Sequence, residues 1–422
     1  AIYEVVTNAV TGKTTLMLAK RPGCETGETI DDYGSGTQVP YLVGEALNGA
    51  EGAMPTIFVK DGNDTKAVYP TGVGTTSSAT ILSDADYAPA HVSKINISGT
   101  FYYLIQLRKD DSGVGLQKVY FASNPSSWTN INDSDFTAIS HRGKMLQLDG
   151  TLYVLGENGI YGSDLNSASA WSASNFIPKS TEQDYSLGLI PFGDRVLCFG
   201  ENTCEQFYNA GNKSGSPLSR VSGRADRVGL AARFFRGGRT EYYCYVANRL
   251  FFLGKASNSW HSLSLMTYNG TFEKVSGLHE DRLIQNDPAY GIFPVSFHGQ
   301  NAVGILLTSP GEETARWLMF FPETKSWFEW ESDVFTAISN GTFFAGVAAP
   351  NKLYGMFTNN QWTDAGTNYT LLTQFRLPFE DDEWKTMSRC GVQADTASGA
   401  TLTVKFNDGG AATYGPARTI DL

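Results

Sequence analysis

Heptads and long Ala/Leu/Glu/Lys stretches are missing from this 422-residue chain, so long helices are not expected. No run approaches the roughly 18 apolar residues that a membrane span requires, and no membrane insertion is expected. The opening stretch, AIYEVVTNAVTGKTTLMLAKRPG, lacks the apolar core of a signal peptide. Cysteines are few and odd in number, five in all (Cys24, Cys198, Cys204, Cys244, Cys390), without zinc or redox spacing. They read as reduced thiols in a protein made in a cytoplasm. Cys198 and Cys204 flank a turn and belong on neighbouring strands, a spacing that does not by itself imply a disulfide. Basic residues are also short: 32 Lys and Arg against 43 Asp and Glu leave a net charge of −11. That balance argues against general affinity for nucleic acid, though not against a surface past which DNA slides.

Catalytic patterns are missing too. TGKTT at 11–15 resembles the end of a phosphate-binding loop, but Thr7 stands where that loop needs glycine. There is no G-x-S-x-G elbow. The five histidines (His91, His141, His261, His279, His298) show no metal-ligand spacing. DGND at 61–64 lacks the rest of a calcium loop and reads as a hairpin turn. EDDE at 380–383 reads as a solvated loop, since a catalytic carboxylate pair must converge from separate strands. No enzyme activity, metal or cofactor is expected.

What the chain does have is glycine (44), aromatics (13%) and repetition. SSWTNINDSDFTAIS (126–140) and KSWFEWESDVFTAIS (325–339) share a Ser-Trp pair and, eight residues on, the Phe that opens FTAIS. Upstream of each Trp stands an aromatic pair and a polar turn: VYFASNPSSW (119–128) and LMFFPETKSW (318–327). LFFLGKASNSW (250–260) reads as a third copy, GIYGSDLNSASAW (159–171) as a looser fourth and LYGMFTNNQW (353–362) as a fifth. CEQFYNAGNKSGSPLSRV (204–221) has the pair and turn without the Trp. Trp128 to Trp171 is 43 residues and Trp171 to Trp260 is 89, about twice that; Trp260 to Trp327 is 67 and Trp327 to Trp362 is 35. A period near 40–50 residues in a strand-rich chain is the mark of a β-propeller, one four-stranded blade per repeat. A single blade cannot bury both faces of its sheet, and large aromatics fill the wedge between blades. Trp128, Trp171, Trp260, Trp327 and Trp362 are therefore expected to pack blades, with sugar stacking as the competing use.

The predicted fold is all-β: a β-propeller of six blades, with seven also allowed, plus a small β platform module. Residues 1–40 form an N-terminal extension that could belong to the platform. Residues 41–366 form the propeller, and 367–422 the C-terminal platform strands. Hairpins are legible at MLQL-Asp149-Gly150-TLYVLG, in FVKDGNDTKAVYP (58–70), DRVLCFGENTCEQFYNAG (194–211) and EYYCYVANRLFFLG (241–254).

One stretch departs from the acidic background. SRVSGRADRVGLAARFFRGGR (219–239) carries Arg220, Arg224, Arg227, Arg233, Arg236 and Arg239, with Asp226 its only acid. Arginine suits planar pairing to carboxylate or phosphate. Three readings stand: a solvated or locally paired loop, a contact with a neighbouring subunit, or a contact with DNA in a channel.

Taken in order, Arg21-Pro22-Gly23, LIPFGDRVLCFGENTCEQFYNAG (189–211), RVGLAA (227–232), the late FTAIS and LLTQFRL (371–377) resemble the tail nozzle proteins of short-tailed bacteriophages (podoviruses), also called packaged-DNA stabilisation or head-completion proteins. The phrase Leu197 to Phe207 carries most of the likeness. The resemblance implies a structural virion protein made in the host bacterial cytoplasm. It implies a homo-hexameric ring around the DNA exit channel at the distal end of the tail, holding the genome until ejection. Implied partners are portal-adaptor connector proteins above, tail fibre, spike or needle proteins nearby, and genomic double-stranded DNA passing without sequence-specific contact. The main alternative is a carbohydrate-binding or glycan-hydrolysing propeller of a receptor-binding tail component; a third reading is a decoration protein of head or tail.

Overall fold

The computed structural model describes residues 56–332, apart from 73–74, 110–117, 180–183, 231–241, 257–262, 287–288, 298–299 and 308–314, together with short backbone strands on either side. Phe335, Trp260, Trp362, Arg233, Arg236, Arg239, Cys24, Cys390, EDDE and LLTQFRL lie outside the described residues.

Tight turns set the architecture. Asp149 and Gly150 take φ of +48° and +78°, the left-handed pair that joins right-twisted strands in register, so Leu148 pairs directly with Thr151. Ala247 and Asn248, at +49° and +60°, do the same between Val246 and Arg249. DGND is the predicted hairpin turn, with Asp61 paired to Asp64 across it. Such hairpins link up into seven antiparallel sheets, numbered here as blades.

Blade 1 is Leu42–Val43, Ile57–Asp61, Asp64–Gly72 and Thr75–Ser83. Blade 2 is Tyr87–Ile97, Thr100–Lys109, Lys118–Asn124 and Ser127–Asn130. Blade 3 is Arg142–Leu148, Thr151–Leu155, Gly159–Ser163 and Trp171–Pro178. Blade 4 is Ser186–Phe192, Arg195–Gly200, Cys204–Asn209 and Leu218–Asp226. In blade 5 the first strand is split: Val228–Leu230 and Tyr243–Val246 both pair with Arg249–Ala256, which Ser264–Tyr268 and Phe272–Lys274 follow. Blade 6 is Ala289–Phe297, Gln300–Leu307, Ala315–Phe321 and Ser326–Ser332. Blade 7 is Ala337–Ser339, Phe344–Gly346 and Lys352–Met356, completed by Glu28–Thr29 from the other end of the chain. Glu28 pairs with Leu353 and Thr29 with Lys352, so a strand within the stretch read as a repeat-free extension is the outer strand of the last blade. Two helices, α1 (Ser134–Thr137) and α2 (Leu278–Asn286), lie in the links between blades.

The first strands touch in a ring. Leu42–Val43 lies against Tyr87–Ile97, that against Arg142–Leu148, and that against Ser186–Phe192. Tyr243–Val246 lies against Ala289–Phe297, that against Ala337–Ser339, and that back against Leu42–Val43. First strands are therefore innermost and fourth strands outermost, and the fold is a β-propeller of seven blades, one more than the number favoured from the tryptophan spacing.

Its core sits between blades. Within Arg195–Gly200, Val196 and Cys198 face the blade 3 cluster with Tyr153, Leu155 and Ile160, while Leu197 and Phe199 face blade 5 with Phe251, Phe252 and Leu265. All four are fully buried, which explains an unbroken apolar run where one-sided burial would demand alternation. Cys198 and Cys204 do lie on neighbouring strands, but in clusters on opposite faces of the sheet; both are free thiols.

By contacts the chain divides into two compact units: Pro22–Asn368, which holds the blades, and a terminal unit of Ala1–Arg21 with Tyr369–Leu422. The terminal unit contains the hairpin Ile2–Thr7 with Thr14–Ala19 and the pair Thr401–Val404 with Arg418–Asp421.

Candidate functional site

The tryptophan phrase is a third-to-fourth-strand hairpin. VYFASNPSSW, GIYGSDLNSASAW and LMFFPETKSW each run from the third strand of a blade into the fourth, in blades 2, 3 and 6. The Trp-less CEQFYNAGNKSGSPLSRV has the same phase in blade 4. LFFLGKA does not: it belongs to the second strand of blade 5, so the Trp260 copy is out of phase, which accounts for the uneven spacing.

Trp128 is half-buried, its indole N–H donating to Pro125 O at 2.7 Å while its ring meets Phe58 of blade 1 edge-on at 5.5 Å. Trp171 is buried, donates to Ala168 O at 3.0 Å and packs on Phe136 at 4.6 Å. Trp327 packs on Phe320 at 4.8 Å. Of the three rings Trp171 is buried, while Trp128 and Trp327 are half-buried against their aromatic neighbours. Phe136, the held end of the phrase, fills the gap between blades 2 and 3 from α1. Asp133 caps α1 and also accepts the Trp171 backbone N–H at 3.3 Å, while Asp135 accepts that of Ala173 at 3.0 Å.

Blade 4 holds the segment that carries most of the resemblance, Leu197 to Phe207, and its side chains are polar where blade 3 is aromatic. The turn Gly200-Glu201-Asn202-Thr203 wraps the Asp184 carboxylate. Asp184 accepts from the backbone N–H groups of Glu201 (3.1 Å), Asn202 (2.8 Å) and Thr203 (2.9 Å) and from Thr203 Oγ1 (3.0 Å), with the buried Lys179 ammonium at 3.7 Å. Burial pushes its pKa up, but the N–H donors and Lys179 outweigh that and hold the carboxyl below its usual value. Two residues on, the fully buried Glu205 meets Arg220 Nε at 2.9 Å. Arg220 also donates to Pro178 O of blade 3 at 2.7 Å and lies over the Phe207 ring. Gln206 donates to Asp226 (3.0 Å) and accepts from Arg195 (3.0 Å) and Tyr268 of blade 5 (3.2 Å).

Among the described residues the arginines of this stretch take different places. Arg220 belongs to an intrachain pair, the locally paired reading. Arg224 sits in a bulge of the outer strand, where register slips between the pairs Phe207–Arg220 and Glu205–Ala225. Arg227 is exposed in the link from blade 4 to blade 5.

One site escaped sequence reasoning altogether. Tyr242, at the start of the inner strand of blade 5, donates to Leu189 O of blade 4 (3.2 Å), accepts from Lys144 N–H of blade 3 (3.3 Å) and meets the His91 ring of blade 2 edge-on at 6.2 Å. A residue that touches the first strands of three other blades lies on the propeller axis. Gly143 and Gly188 clear its slot: a Cβ at Gly188 would come within 2.9 Å of the Tyr242 hydroxyl, and one at Gly143 within 2.8 Å of Leu187 O. His91 is buried beside it, and burial, with Lys144 and Arg108 nearby, lowers its pKa to about 3.

Among the described residues no group of three or more His, Cys, Asp or Glu is placed to hold a metal ion, and no helix is long and apolar enough to cross a membrane.

Residues 96–287 match the family described as bacteriophage P22 Gp10, β-propeller. The match runs from the end of the first strand of blade 2 through blade 5, including both Trp hairpins of that region and the whole of blade 4. It bears out the resemblance seen in the sequence and supports a structural tail protein of a phage particle. No curated protein sequence matches the chain. Solved structures are only distantly similar. The computationally designed Ika8 protein shares 8% identity over 79% of this chain and 100% of its own, with a TM-score of 0.43. The extracellular domain of a hybrid two component system from B. thetaiotaomicron shares 10% over 82% of this chain and 42% of its own, at 0.48. An ancestral GH74 enzyme shares 12% over 75% of this chain and 47% of its own, at 0.42. The chain spans less than half the length of these last two, and none of the three is similar enough to carry an argument about activity.

Proposed function

We propose that the chain is a tail nozzle subunit of a short-tailed phage, six copies of which ring the DNA exit channel at the distal end of the tail. The observation that carries this reading is the match of blades 2 to 5 to the P22 Gp10 propeller family. In this reading the ring retains the packaged genome, lets it pass during ejection, and sits below portal-adaptor proteins and beside fibre, spike or needle proteins.

Two physical features fit. The axis of the propeller itself is crossed by Tyr242, and a gap that one phenol ring spans cannot admit a duplex whose major groove alone is about 12 Å wide. DNA would therefore run between copies. Six copies at −11 each carry −66, and such a wall repels phosphates within roughly 8–10 Å at physiological salt, so DNA slides without sticking. Arg220 is engaged within its own blade, so in this reading a subunit contact or constriction falls to Arg224, Arg227, Arg233, Arg236 and Arg239.

A low-resolution cryo-EM reconstruction of the particle that carries the chain tests this. Six propellers around an axial channel at the tail tip are expected; single propellers at the periphery would overturn the reading in favour of a receptor-binding component. Charge reversal at Arg224 and Arg233 should weaken ring assembly or make particles leak DNA. Particles unaffected in both respects would remove these arginines from the contact.

A further inference from the structure

The outer strand of a blade is a free sheet edge, and its outward-turned N–H and C=O groups are a template for a further strand. Charge on the strand itself is the common way to spoil such an edge. Leu218–Asp226 carries Arg220, Arg224 and Asp226, Phe272–Lys274 carries Glu273 and Lys274, and Ser326–Ser332 carries Glu329 and Glu331. Thr75–Ser83 has no charge, but its register slips twice against Asp64–Gly72. Trp171–Pro178, WSASNFIP, is eight residues long and has no charge either.

The outward side of Trp171–Pro178 can be followed group by group. Ala170 O accepts from Asp164 N–H at 2.9 Å, and Lys179 N–H donates to Asn158 O at 3.2 Å, so both flanking residues turn toward the inner neighbour Gly159–Ser163. Trp171 and Pro178, one residue in from each, therefore turn outward, since successive residues aim their backbone groups to opposite sides. Asp133 takes the Trp171 N–H at 3.3 Å, and Asp135 takes that of Ala173, the next outward residue, at 3.0 Å. At the other end Pro178 has no N–H to offer, and Arg220 of blade 4 takes its carbonyl at 2.7 Å. Between the two ends the register slips once, from Tyr161 on Phe176 to Ser163 on Trp171. None of the three blocking side chains belongs to the strand. Asp133 and Asp135 come from α1 and its cap, and Arg220 from the next blade.

We propose that this edge is a strand-addition site for a second copy of the chain, held closed by Asp133, Asp135 and Arg220. Two copies related by a two-fold axis present the same edge to each other, and a strand without charge does nothing to oppose antiparallel pairing there. The borrowed side chains occupy the backbone groups that such pairing needs. The closure matters wherever copies are crowded, so it does not rest on the nozzle reading.

The test compares the full chain with two double variants, Asp133→Ala with Asp135→Ala and Asp133→Asn with Asp135→Asn, by sedimentation velocity over a range of concentration. Urea midpoints are measured alongside. The alanine pair is expected to associate at a concentration at least tenfold below the unmodified chain, with hydrogen exchange in Trp171–Pro178 slowed in the associated form. The asparagine pair keeps an acceptor at each place and should behave as the unmodified chain. Adding Ser174→Lys to the alanine pair puts a charge at an exposed position in the middle of the edge, and should abolish association without raising the urea midpoint. An alanine pair that associates no more than the unmodified chain overturns the proposal. So does association that Ser174→Lys leaves intact, or that leaves exchange in Trp171–Pro178 unchanged, because partial unfolding and not the edge would then drive it.

Discussion

Blades 3 and 4 share one hairpin plan and hold it by opposite means. In blade 3 the outer strand is anchored by the buried Trp171 against Phe136, with Asp133 and Asp135 taking two backbone N–H groups. In blade 4 no tryptophan occurs at that place, and the outer strand is held by Arg220 on the buried Glu205 and by Asp226 on Gln206. Turn geometry and strand pairing define the hairpin; the anchor is interchangeable. The aromatic repeat can therefore lapse while the blade persists.

The comparison breaks most visibly at its apolar end. Trp171→Ala should cost about 3–5 kcal/mol, through lost burial and an unfilled cavity beside Phe136, read as a shift of the urea midpoint. The polar anchor comes next. Arg220→Ala strands the fully buried Glu205 and should cost about 3 kcal/mol, the low end for a broken buried pair, because Arg220 is partly open to water. The sharper version replaces both: Glu205→Leu with Arg220→Met should recover most of that loss, since an apolar pair of similar volume needs no counter-charge. A double variant no more stable than Arg220→Ala alone would mean that the ion pair is not the anchor.

A smaller effect belongs to the turn that frames Glu205. Asp184→Asn keeps the size of the side chain but puts an NH₂ group against N–H donors, and should cost about 2 kcal/mol. Because the pKa of Asp184 is held down in the fold, its contribution is present above the unfolded carboxyl value of 3.8 and is lost as pH falls below it. The difference between wild type and Asp184→Asn should therefore shrink below pH 4 in acid denaturation.

Local chemistry was the legible part of this chain. Asp149-Gly150 and DGND announce their hairpins because the left-handed turn demands those residues. The strand class of RVLCFG follows from its composition. The number of blades was less legible, because Trp spacing counts anchors, and blade 4 uses another anchor while blade 7 borrows Glu28–Thr29 from some 320 residues away. Long-range pairing of two residues leaves no pattern to read. Tyr242 was hidden for a related reason: its role depends on glycines at 143 and 188 in two other blades. Arg220 was misleading as a member of the arginine cluster: it points into its own sheet, toward an acid whose burial no spacing reveals.

The smallest effect separates the axis from the rim. His91 on the axis and His141 in the link to blade 3 are both buried, and burial first of all lowers their pKa values to about 3 and about 4. Unfolded, each titrates near 6.5, so the unfolded chain binds protons that the fold refuses. Their contribution is whole above pH 6.5 and falls away as pH drops toward the folded values. At pH 6 each should cost about 0.8 kcal/mol. His141 has the Phe136 carbonyl 3.3 Å from Nε2, which favours the charged ring; His91 has Lys144 and Arg108 nearby, which oppose it. His91→Gln should therefore flatten the stability slope from pH 6.5 down to about pH 3. His141→Gln should flatten it only down to about pH 4, where the native ring itself begins to charge. Equal slopes for wild type and both variants would mean that neither imidazole is shielded from water, and that the axis beside Tyr242 is wetter than its packing implies.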